Sequence, residues 1–519
     1  MRTTRFGRKA LAPRPVLAVA AILMGVCLAA DPASARDLPM VKPVMGCEAL
    51  AQKDVAPAGE APGRIVSART VATGTVGPYC EIKGYVAPQV RFELRLPTQN
   101  WTQRLMFSGC GGFCGRVEFR IRASEGCEAI DNGEIALVTS DLGHDAPDGN
   151  ANTVWAANNR QGKIDYGYRG VHVVTVIAKA IVARYYGRPP AYAYFNGCSD
   201  GGREGMMEAQ RFPGDFNGIV AGASVIEDVA NNTVFHAWNA RHSAAADGSA
   251  LLKPQDLAVL HKAALEACDL TGDGIRDGVV GDPRSCRFDP AAAECRQGGT
   301  ADCLSAAQVA AARAMYGGPV DEKGRPFYYG RPVGSELSWG SPDNGEMVGA
   351  FVRYMLSDDI LEFDLAKFPF DRASFERMQW MAPVYNATSP DLDAFRKAGG
   401  KLIMWHGWGD FGVPPMSSVN YYENLLKRYG ADTPSFARLF LLPGVGHCGG
   451  GEGPDRMNLT DAIFAWVEDG SPPASLLALR KSYGRTLQTR PVFPYPANSR
   501  YRGAGDPSVA TSFAASAPN

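Results

Sequence analysis

The sequence has no excess of either charge. Its 519 residues include 53 lysines and arginines against 54 aspartates and glutamates, which gives a formal net charge of -1. The basic residues form no stripe interleaved with aromatics, which argues against nucleic acid as a ligand. No long uncharged stretch follows the N-terminal segment, and this argues against a membrane span in the mature chain. The HExxH and paired CxxC signatures are also missing, which argues against the corresponding zinc enzymes.

The N-terminal segment has the pattern of a secretory signal. Basic residues at positions 2–14 precede an apolar run at 15–30, and Ala33-Ser34-Ala35 follows. This order predicts a signal peptide over residues 1–35, cleaved after Ala35. The run is too short for a comfortable membrane anchor, and Val26 is not the small residue that a lipoprotein site at Cys27 would need. We therefore expect a secreted or periplasmic protein without membrane attachment after cleavage.

Cysteine is frequent enough to indicate disulfide bonds. Of 12 cysteines, 11 lie outside the predicted signal. In an oxidising compartment this number predicts disulfides, and an odd count leaves at least one thiol free or paired between chains. The predicted disulfide cysteines, besides two pairs introduced below, are Cys47, Cys80, Cys295 and Cys303. The spacing does not give the pairing of Cys110, Cys114 and Cys127, one of which is expected to be the odd thiol.

Short apolar runs alternate with helical patterns along much of the chain. Strands are predicted at residues 104–107, 135–139, 191–195, 218–221, 402–405 and 438–442. A helix is predicted at 171–186, because apolar residues keep helical spacing there until Gly187-Arg188-Pro189-Pro190 stops it. The alternation predicts an α/β fold with a largely parallel sheet and helices on both faces.

The alternation is interrupted between residues 225 and 390. This segment contains four cysteines, an acidic loop and many aromatics. We interpret it as a lid domain inserted into a catalytic core that comprises residues 36–224 and 391–500. The Ala/Ser/Pro/Gly-rich stretch 501–519 predicts a flexible tail.

Gly197-Cys198-Ser199-Asp200-Gly201 has the G-x-S-x-G pattern between a predicted strand and a helix predicted at 203–210. A sharp turn between strand and helix exposes the serine hydroxyl, and the glycines tolerate the crowding beside it. The helix N-terminus then offers free N–H groups to a developing oxyanion. A Gly-rich structural turn is the alternative, but the strand and the helix around it favour Ser199 as a nucleophile.

A nucleophilic serine needs a base, and the base needs an orienting acid. Two histidines follow the interrupted segment, and His447 lies on a Gly-rich loop directly after a predicted strand. Asp410 follows another predicted strand, so the chain order is Ser199, Asp410, His447, which is the order of the α/β-hydrolases. The core is therefore predicted to be of that type. His406 is the competing base, but its place between a strand and two tryptophans favours a packing role.

An acidic loop at residues 269–279 alternates carboxylates with glycines. Such a loop can offer several of the about 6–8 oxygen ligands that Ca²⁺ prefers. The candidate ligands are three carboxylates and two backbone carbonyls, from Asp269, Asp273, Asp277, Ile275 and Val279. Cys268 and Cys286 bracket the loop and could close it as a disulfide. It is not an EF-hand, because the glutamate at the twelfth position is missing, and a solvated acidic turn is an equally good interpretation of the spacing.

Several stretches together resemble one known family. They are residues 194–223 around Ser199, residues 139–144, residues 169–172 ahead of the helix with Lys179, His406-Gly407-Trp408-Gly409-Asp410 and Gly446-His447-Cys448. They cover most of the mature chain outside the predicted lid and are specific in combination. The chain resembles the tannase/feruloyl esterase family, whose catalytic triad maps onto Ser199, Asp410 and His447.

The resemblance also carries expectations about the surroundings of the triad. It implies a disulfide between Cys198 and Cys448, which the sequence alone leaves open, and a structural calcium site in the lid. The oxyanion donors would be the backbone N–H of Asp200, where the family often has a threonine, and that of Gly111, with Gly112 close behind. The alternative for the glycines is a plain Gly-rich turn.

The predicted function is hydrolysis of a small aromatic ester through an acyl-enzyme. The resemblance implies feruloyl, galloyl or terephthaloyl acyl groups, with Trp339, Trp380 and Phe370 of the lid as candidate ring contacts. One alternative is an acyltransferase that uses the same triad. Another is a catalytically silent binding protein of the same fold, but an intact Ser, Asp and His in order argue against it.

Overall fold

The apolar runs of the sequence form the strands of one large sheet. The structure is a computed structural model that describes residues 37–51, 54–55, 61–72, 77–119, 133–146, 152–245, 247–296, 302–339 and 345–516. The predicted signal peptide therefore lies outside the described residues. The strands, in chain order from β1 to β14, are Asp54–Val55, Gly63–Val71, Tyr79–Val86, Val90–Pro97, Arg104–Ser108, Ala136–Ser140, Tyr192–Cys198, Gly218–Gly222, Lys401–Gly407, Ala437–Leu442, Leu476–Ser482, Arg485–Val492, Ser499–Tyr501 and Phe513–Ala515.

Ten strands of the described chain form the central sheet, in the order β1-β2-β3-β4-β6-β5-β7-β8-β9-β10. The six strands from β6 to β10 in that order are parallel to one another. Strands β5, β6 and β8 are buried along their whole length, as expected for a parallel sheet covered on both faces. All six predicted strands are found, each within a few residues of its predicted bounds.

The N-terminal strands extend the sheet in antiparallel fashion. Strands β1 to β4 pair successively, and β4 joins the parallel part through β6, also antiparallel. Their exposed and buried residues partly alternate, which is typical of strands with one covered face. These strands were not among the predictions, because no chemical motif marks this region.

Helices cover both faces of the sheet. The α-helices, in chain order from α1 to α13, are Arg160–Ile164, Gly170–Tyr186, Asp200–Arg211, Asp228–Ala230, His236–Ser243, Pro254–Cys268, Ala306–Gly317, Glu346–Ala350, Arg372–Met378, Ala382–Tyr385, Asp393–Lys397, Pro415–Tyr429 and Leu459–Glu468. Helices α2, α3 and α12 pack in one apolar cluster with Phe107 and Phe195. Helix α13 packs in another cluster, with the neighbouring residues Met106 and Tyr194. Because neighbours along a strand point to opposite faces, the fold is α/β with both faces covered, as predicted.

Residues 225–390 contribute no strand to the sheet among their described positions. They form helices α4 to α10, and two apolar clusters are built almost entirely from them, one around Leu260 and Trp339 and the other around Val234 and Phe368. We call this stretch the helical segment below. It lies in the chain between β8 and β9.

The C-terminal stretch differs from the predicted flexible tail. Strand β13 pairs with β14, and Tyr501 donates its backbone N–H to the carbonyl of Asp273 at 2.8 Å. Phe513 is buried, and the guanidinium of Arg490 lies 4.5 Å from its ring centroid. The stretch is therefore held by Phe513 against Arg490 of β12 and by the backbone of Tyr501 on the helical segment, which its composition did not indicate.

Five disulfides link the described cysteines. They are Cys47–Cys80, Cys110–Cys114, Cys198–Cys448, Cys268–Cys286 and Cys295–Cys303. The eight cysteines predicted to form disulfides all do so. Cys110 and Cys114, left unassigned by the sequence, pair with each other, whereas Cys127 lies outside the described residues. Within the described chain no helix combines the length and the apolar character that a membrane span requires.

Candidate active site

Ser199 lies at the sharp turn between β7 and α3. Its φ is 67° and its ψ is -120°, a conformation that non-glycine residues rarely adopt. The crowding explains the flanking glycines, because a Cβ atom at Gly197 would lie 2.6 Å from the carbonyl oxygen of Gly201. Ser199 donates its own backbone N–H to Gly222 at 2.9 Å, which fixes the turn on β8. This is the strained strand–turn–helix that the G-x-S-x-G pattern predicted.

His447 and Asp410 come from the loops after β10 and β9, which are parallel neighbours. Gly409 donates its N–H to the carbonyl of Val445 at 2.9 Å, and a Cβ at Gly407 would lie 2.2 Å from that same oxygen. Glycine at these positions therefore lets the two loops approach closely. The side chains of Asp410 and His447 meet as a result.

The three predicted triad residues form a continuous hydrogen-bonded line. His447 Nε2 lies 2.8 Å from Ser199 Oγ, and His447 Nδ1 lies 2.7 Å from Asp410 Oδ2. Asp410 is fully buried, whereas about a quarter of the His447 side chain (26%) is exposed. An imidazole in this geometry can accept a proton from the serine hydroxyl while the carboxylate holds its other nitrogen.

A second imidazole contacts the same carboxylate. His406 Nε2 lies 3.1 Å from Asp410 Oδ2, and His406 Nδ1 lies 2.8 Å from Ser418 Oγ. Although burial alone would raise the pKa of Asp410, the imidazoles of His447 and His406 hold that pKa well below its ordinary value. His406 therefore contacts the catalytic aspartate in addition to the packing role that the sequence predicted. In the sequence, the spacing of four residues between His406 and Asp410 is what indicates this contact.

A disulfide ties the loop of the serine to the loop of the histidine. Cys198 precedes Ser199 and Cys448 follows His447, and the two sulfurs are bonded with a Cα–Cα distance of 6.0 Å. The bond that the family resemblance implied is present. It constrains the separation of Ser199 and His447 covalently.

Two backbone segments offer N–H groups beside Ser199. Asp200 is the first residue of α3, so its N–H has no acceptor within the helix. On the other side the turn after β5 carries Gly111 and Gly112, and the Cys110–Cys114 disulfide closes this turn. Gly112 lines the cavity at Ser199 together with Asp200, whereas Gly111 is not among the lining residues.

The carboxylate of Asp200 is bound within the protein. Its Oδ1 accepts hydrogen bonds from Arg203 Nε at 2.6 Å and from the Tyr166 hydroxyl at 2.9 Å. Arg203 is fully buried, and it also donates to the carbonyls of Gly167 and Tyr166. Although burial opposes the charge, the carboxylate of Asp200 is among the groups that raise the pKa of Arg203 well above its ordinary value. The residue that departs from the family pattern thus compensates a buried arginine.

A cavity of about 140 Å³ opens beside Ser199 and His447. Its apolar lining residues include Val225, Met347 and Val413. Polar side chains line it from the start of the helical segment, where a π-helical turn spans Asn231–Phe235. The polar lining residues from this segment are Asp228, Asn231, Asn232 and His236. They were not predicted, although the sequence shows paired asparagines between apolar residues.

The aromatics proposed as ring contacts do not line this cavity. Trp339 is buried against Tyr316, and Phe370 packs edge-on to Trp238. Trp380 is half exposed and donates its indole N–H to the carbonyl of Leu356. All three serve the packing of the helical segment.

Two of the five predicted calcium ligands bind a buried arginine. Arg490 donates to Asp273 Oδ2 at 3.0 Å and to Asp277 Oδ2. Asp269 Oδ1 accepts the backbone N–H groups of Asp277 and Gly278, and the Cys268–Cys286 disulfide closes the loop.

The loop offers carboxylate oxygens, which hard divalent cations prefer as ligands. Asp273 and Asp277 contact the guanidinium of Arg490, and the buried Asp277 Oδ1 has no hydrogen-bond partner. Burial raises the pKa of Asp273 to about 7, with Arg490 opposing and Asp277 adding to the shift. Carboxylate and carbonyl oxygens are ligands of the kind that Ca²⁺ takes, but the guanidinium of Arg490 binds two of these carboxylates.

Two clusters of the described chain gather possible metal ligands within 4.8 Å of one another, and the carboxylates of the acidic loop are in neither. In the first, Cys110 and Cys114 are joined as a disulfide beside Asp200 and Glu204, so they offer no thiolate. The second comprises His172, Glu208 and Asp215, and the ammonium group of Lys179 contacts the carbonyl of Asp215.

Comparison with known proteins agrees with this geometry. Residues 72–516 match the sequence model of the family described as tannase and feruloyl esterase. A mono(2-hydroxyethyl) terephthalate hydrolase of Piscinibacter sakaiensis is 34% identical, with 91% of this chain and 88% of the relative covered. A probable feruloyl esterase of Arthroderma benhamiae is 30% identical, with 81% of each chain covered.

Solved structures agree on the fold. The crystal structure of feruloyl esterase B from Aspergillus oryzae matches with a TM-score of 0.78 at 24% identity, over 88% of this chain and 97% of that one. An esterase from the same organism matches with a TM-score of 0.80 at 23% identity, over 91% of this chain and 100% of that one. At these identities the structures show the α/β-hydrolase type of fold. Together with the sequence relatives they lead to one conclusion: the chain belongs to the tannase and feruloyl esterase family and is a carboxylic ester hydrolase.

Proposed function

We propose that the protein hydrolyses aromatic carboxylic esters through an acyl-enzyme on Ser199. The observation that carries the proposal is the line from Ser199 Oγ through His447 to Asp410, with distances of 2.8 and 2.7 Å. A catalytically silent binding protein of the same fold would not need these hydrogen bonds between serine, histidine and aspartate. The aromatic preference is supported by the names of relatives that act on feruloyl and terephthalate esters.

In the first half of the reaction His447 Nε2 takes the proton of the Ser199 hydroxyl as its oxygen attacks the ester carbonyl. The N–H of Asp200 and an N–H of the Gly111–Gly112 turn stabilise the oxyanion of the tetrahedral intermediate. The intermediate collapses, and the alcohol leaves with the proton from His447. Water then repeats the sequence on the acyl-enzyme and releases the acid, while Asp410 keeps His447 in its working tautomer.

Initial rates on methyl ferulate, methyl gallate and mono(2-hydroxyethyl) terephthalate test this proposal, with Ser199→Ala as the comparison. We expect turnover of at least one ester and a loss of more than about 10³-fold in the variant. Ser335→Ala is a matched control, because Ser335 is a buried serine whose hydroxyl contacts only Pro332 and Trp339 in the helical segment. Activity that survives in Ser199→Ala would refute the assignment of the nucleophile.

We further propose that the acidic loop holds a structural Ca²⁺. Asp269, Asp273 and Asp277, with the carbonyls of Ile275 and Val279, would supply the ligands. The ion would supply positive charge that stabilises the loop and no chemistry. The three carboxylates of the loop and the unpartnered Asp277 Oδ1 support this proposal.

Removal of the ion should lower the melting temperature. We expect a chelator to lower Tm by several degrees and added Ca²⁺ to restore it, because a ligand that binds only the folded state stabilises it. Asp277→Asn should abolish this response. Asp289→Asn is the matched control, since Asp289 is an exposed carboxylate that pairs with Arg313 in the same segment. An unchanged Tm on chelation would contradict the proposal.

Export to an oxidising compartment is the third part of the proposed function. It is supported by the five disulfides of the described chain, which are rare in proteins of a reducing cytosol. The basic and apolar pattern of residues 1–35 supports it independently. N-terminal sequencing of the protein recovered from the periplasm and the medium tests it, with Arg36 expected as the first residue of the mature chain.

A further inference from the structure

Glu204 carries a buried carboxyl group in the helix that follows Ser199. It lies on α3, and the residue is only 3% exposed. Burial of a carboxyl group is costly unless its oxygens are hydrogen-bonded. The line of Ser199, His447 and Asp410 does not use this group. Its contacts lead instead to the backbone turn that follows β5, on the other side of the serine.

The turn after β5 packs directly on the start of α3. A Cβ atom at Gly109 would lie 3.0 Å from the Cα of Gly201, and one at Gly201 would lie 2.7 Å from the carbonyl oxygen of Cys110. Glycine at both positions therefore lets the turn and the helix approach closely. These two segments carry the backbone N–H groups beside the nucleophile, at Asp200 on the helix and at 111–112 on the turn.

Glu204 holds the backbone of this turn. Cys110 donates its backbone N–H to Glu204 Oε1 at 3.1 Å. The sulfurs of Cys110 and Cys114, which the disulfide joins, lie 2.9 and 3.6 Å from the same oxygen. The residue before is held separately, since Gly109 donates its N–H to the carbonyl of Asn196 at 2.9 Å. Glu204 therefore fixes the turn directly before its two glycines.

The carboxyl group of Glu204 also lies close to that of Asp200. Oxygens of the two groups are within 4.8 Å of one another, and the buried Glu204 Oε2 has no partner as an acceptor. Burial, and next the carboxylate of Asp200, raise the pKa of Glu204 well above its ordinary value, against the charge of Arg203. Protonation is therefore favoured, and the proton gives Glu204 a hydrogen bond to Asp200.

One carboxyl group thus connects the two sources of oxyanion donors. Through Oε1 it accepts from the turn, and through its proton it binds the first residue of α3. An oxyanion needs donors at about 2.7–3.1 Å from one position. A misplacement of about 1 Å can lower the rate about 10²-fold. The separation of turn and helix therefore matters to the reaction.

We propose that Glu204 is a positioning residue for the oxyanion donors, which holds the Gly111–Gly112 turn at a fixed separation from the N-terminus of α3. The inference rests on the proposed function and adds a residue to its machinery. Glu204 does not line the cavity at Ser199, so it acts through the backbone of Cys110. Its effect falls on the formation of the oxyanion and not on the binding of the ester.

Three replacements of Glu204 separate its hydrogen bonds from its charge and its volume. Glu204→Gln keeps the length, an acceptor for Cys110 and a donor for Asp200, so we expect a kcat within about threefold of the wild type. Glu204→Asp keeps the acid but is one methylene shorter, and Glu204→Leu keeps the volume without hydrogen bonds. We expect these two to lower kcat about tenfold and about 10²-fold, with KM changed less than about twofold.

A boronic acid supplies a readout that a merely structural role would not change. It forms a tetrahedral anion on the serine hydroxyl and so requires the same N–H groups as the oxyanion. Its inhibition constant should rise in Glu204→Asp and Glu204→Leu by about the factor by which kcat falls. Each variant is measured well below its own Tm, so that a loss of stability does not enter the rate.

Glu208→Leu is the matched control. Glu208 lies on the same helix, is 1% exposed and has no hydrogen-bond partner at either oxygen, but it gathers with His172 and Asp215 instead of the turn. This variant should lose stability and keep both kcat and the affinity for the boronic acid. A full kcat in Glu204→Leu would overturn the proposal, and so would a Glu204→Asp that is more active than Glu204→Gln. Should Glu204→Leu not fold, the order of the other two decides.

The wild-type protein separates this inference from the proposed function. Turnover that Ser199→Ala abolishes but Glu204→Leu leaves unchanged would overturn the inference alone. Failure of the wild type to hydrolyse every ester, including the small activated ester p-nitrophenyl acetate, would overturn the proposed function and the inference with it.

Discussion

At the scale of single residues, the carboxylate of Asp410 is shared by two imidazoles. His447 Nδ1 and His406 Nε2 lie 2.7 and 3.1 Å from the same oxygen, while the other oxygen accepts the N–H groups of Gly412 and Val413. The second imidazole withdraws part of the negative charge that stabilises protonated His447. His406 is therefore a positioning residue that acts through Asp410.

Replacement of His406 should lower turnover and leave substrate binding unchanged. We expect His406→Leu to lower kcat about tenfold with little change in KM, because the orientation of Asp410 would loosen. Ser418→Ala, which removes the 2.8 Å contact to His406 Nδ1, should give the same change in smaller size. A loss of kcat/KM that comes from a raised KM at unchanged kcat would contradict a positioning role.

We expect the carboxylate of Asp200 to contribute to the stability of the fold more than to discrimination between charged and neutral substrates. Asp200→Asn would leave the fully buried Arg203 without its 2.6 Å partner. Removal of one partner from a buried ion pair typically costs about 3–5 kcal/mol. We expect a loss of this order in the free energy of unfolding, measured in urea. The double change Asp200→Thr with Arg203→Met should recover much of it, and a fully stable Asp200→Asn would contradict this account.

At the scale of elements, a histidine joins the helical segment to the loop of the base. His261 on α6 has its Nδ1 2.7 Å from Glu336 Oε2, and its Nε2 lies 2.9 Å from Glu452 Oε2 in the loop after His447. The second contact lacks hydrogen-bond geometry and is therefore electrostatic. Burial alone would lower the pKa of His261, but the two carboxylates raise it to about 9.

This junction predicts a stability that falls in mild alkali. Because the pKa of His261 is raised on folding from about 6.5, its contribution is fully present below about pH 6.5 and is lost as pH rises through about 9. The contribution is at most about 3 kcal/mol. Urea unfolding between pH 6 and 10 measures it, and His261→Gln should flatten the profile. His242→Gln should not, since burial lowers the pKa of His242.

The elements that carry the chemistry were the most predictable from the sequence. The turn at Ser199 and the loops of Asp410 and His447 need special residues at fixed places, so glycines and strand ends mark them. Strands β2 to β4 and the C-terminal pair β13 and β14 were missed, because their stability comes from partners distant in the chain. Phe513, for example, is recognisable as an anchor only beside Arg490.

The contacts within the site were harder to predict from the sequence than the residues that form it. The sequence brings His406 within four residues of Asp410 but does not show that the loop turns both imidazoles onto one oxygen. The paired asparagines Asn231 and Asn232 are visible in the sequence, but the π-helical turn that carries them at the cavity is not. Trp339, Trp380 and Phe370 have the right composition for ring contacts, and only their packing shows that they do not reach the cavity.

At the scale of the whole molecule, the bond between Cys198 and Cys448 closes a covalent ring over a sequence separation of 250 residues. The whole helical segment lies inside this ring. A protease that cuts the segment once would therefore release nothing, and the nicked protein should migrate as one band without reductant and as two with it. Ser199 would then lie on one fragment, and Asp410 and His447 on the other. Activity retained after the nick should disappear on reduction, because the two halves of the site would be free to separate.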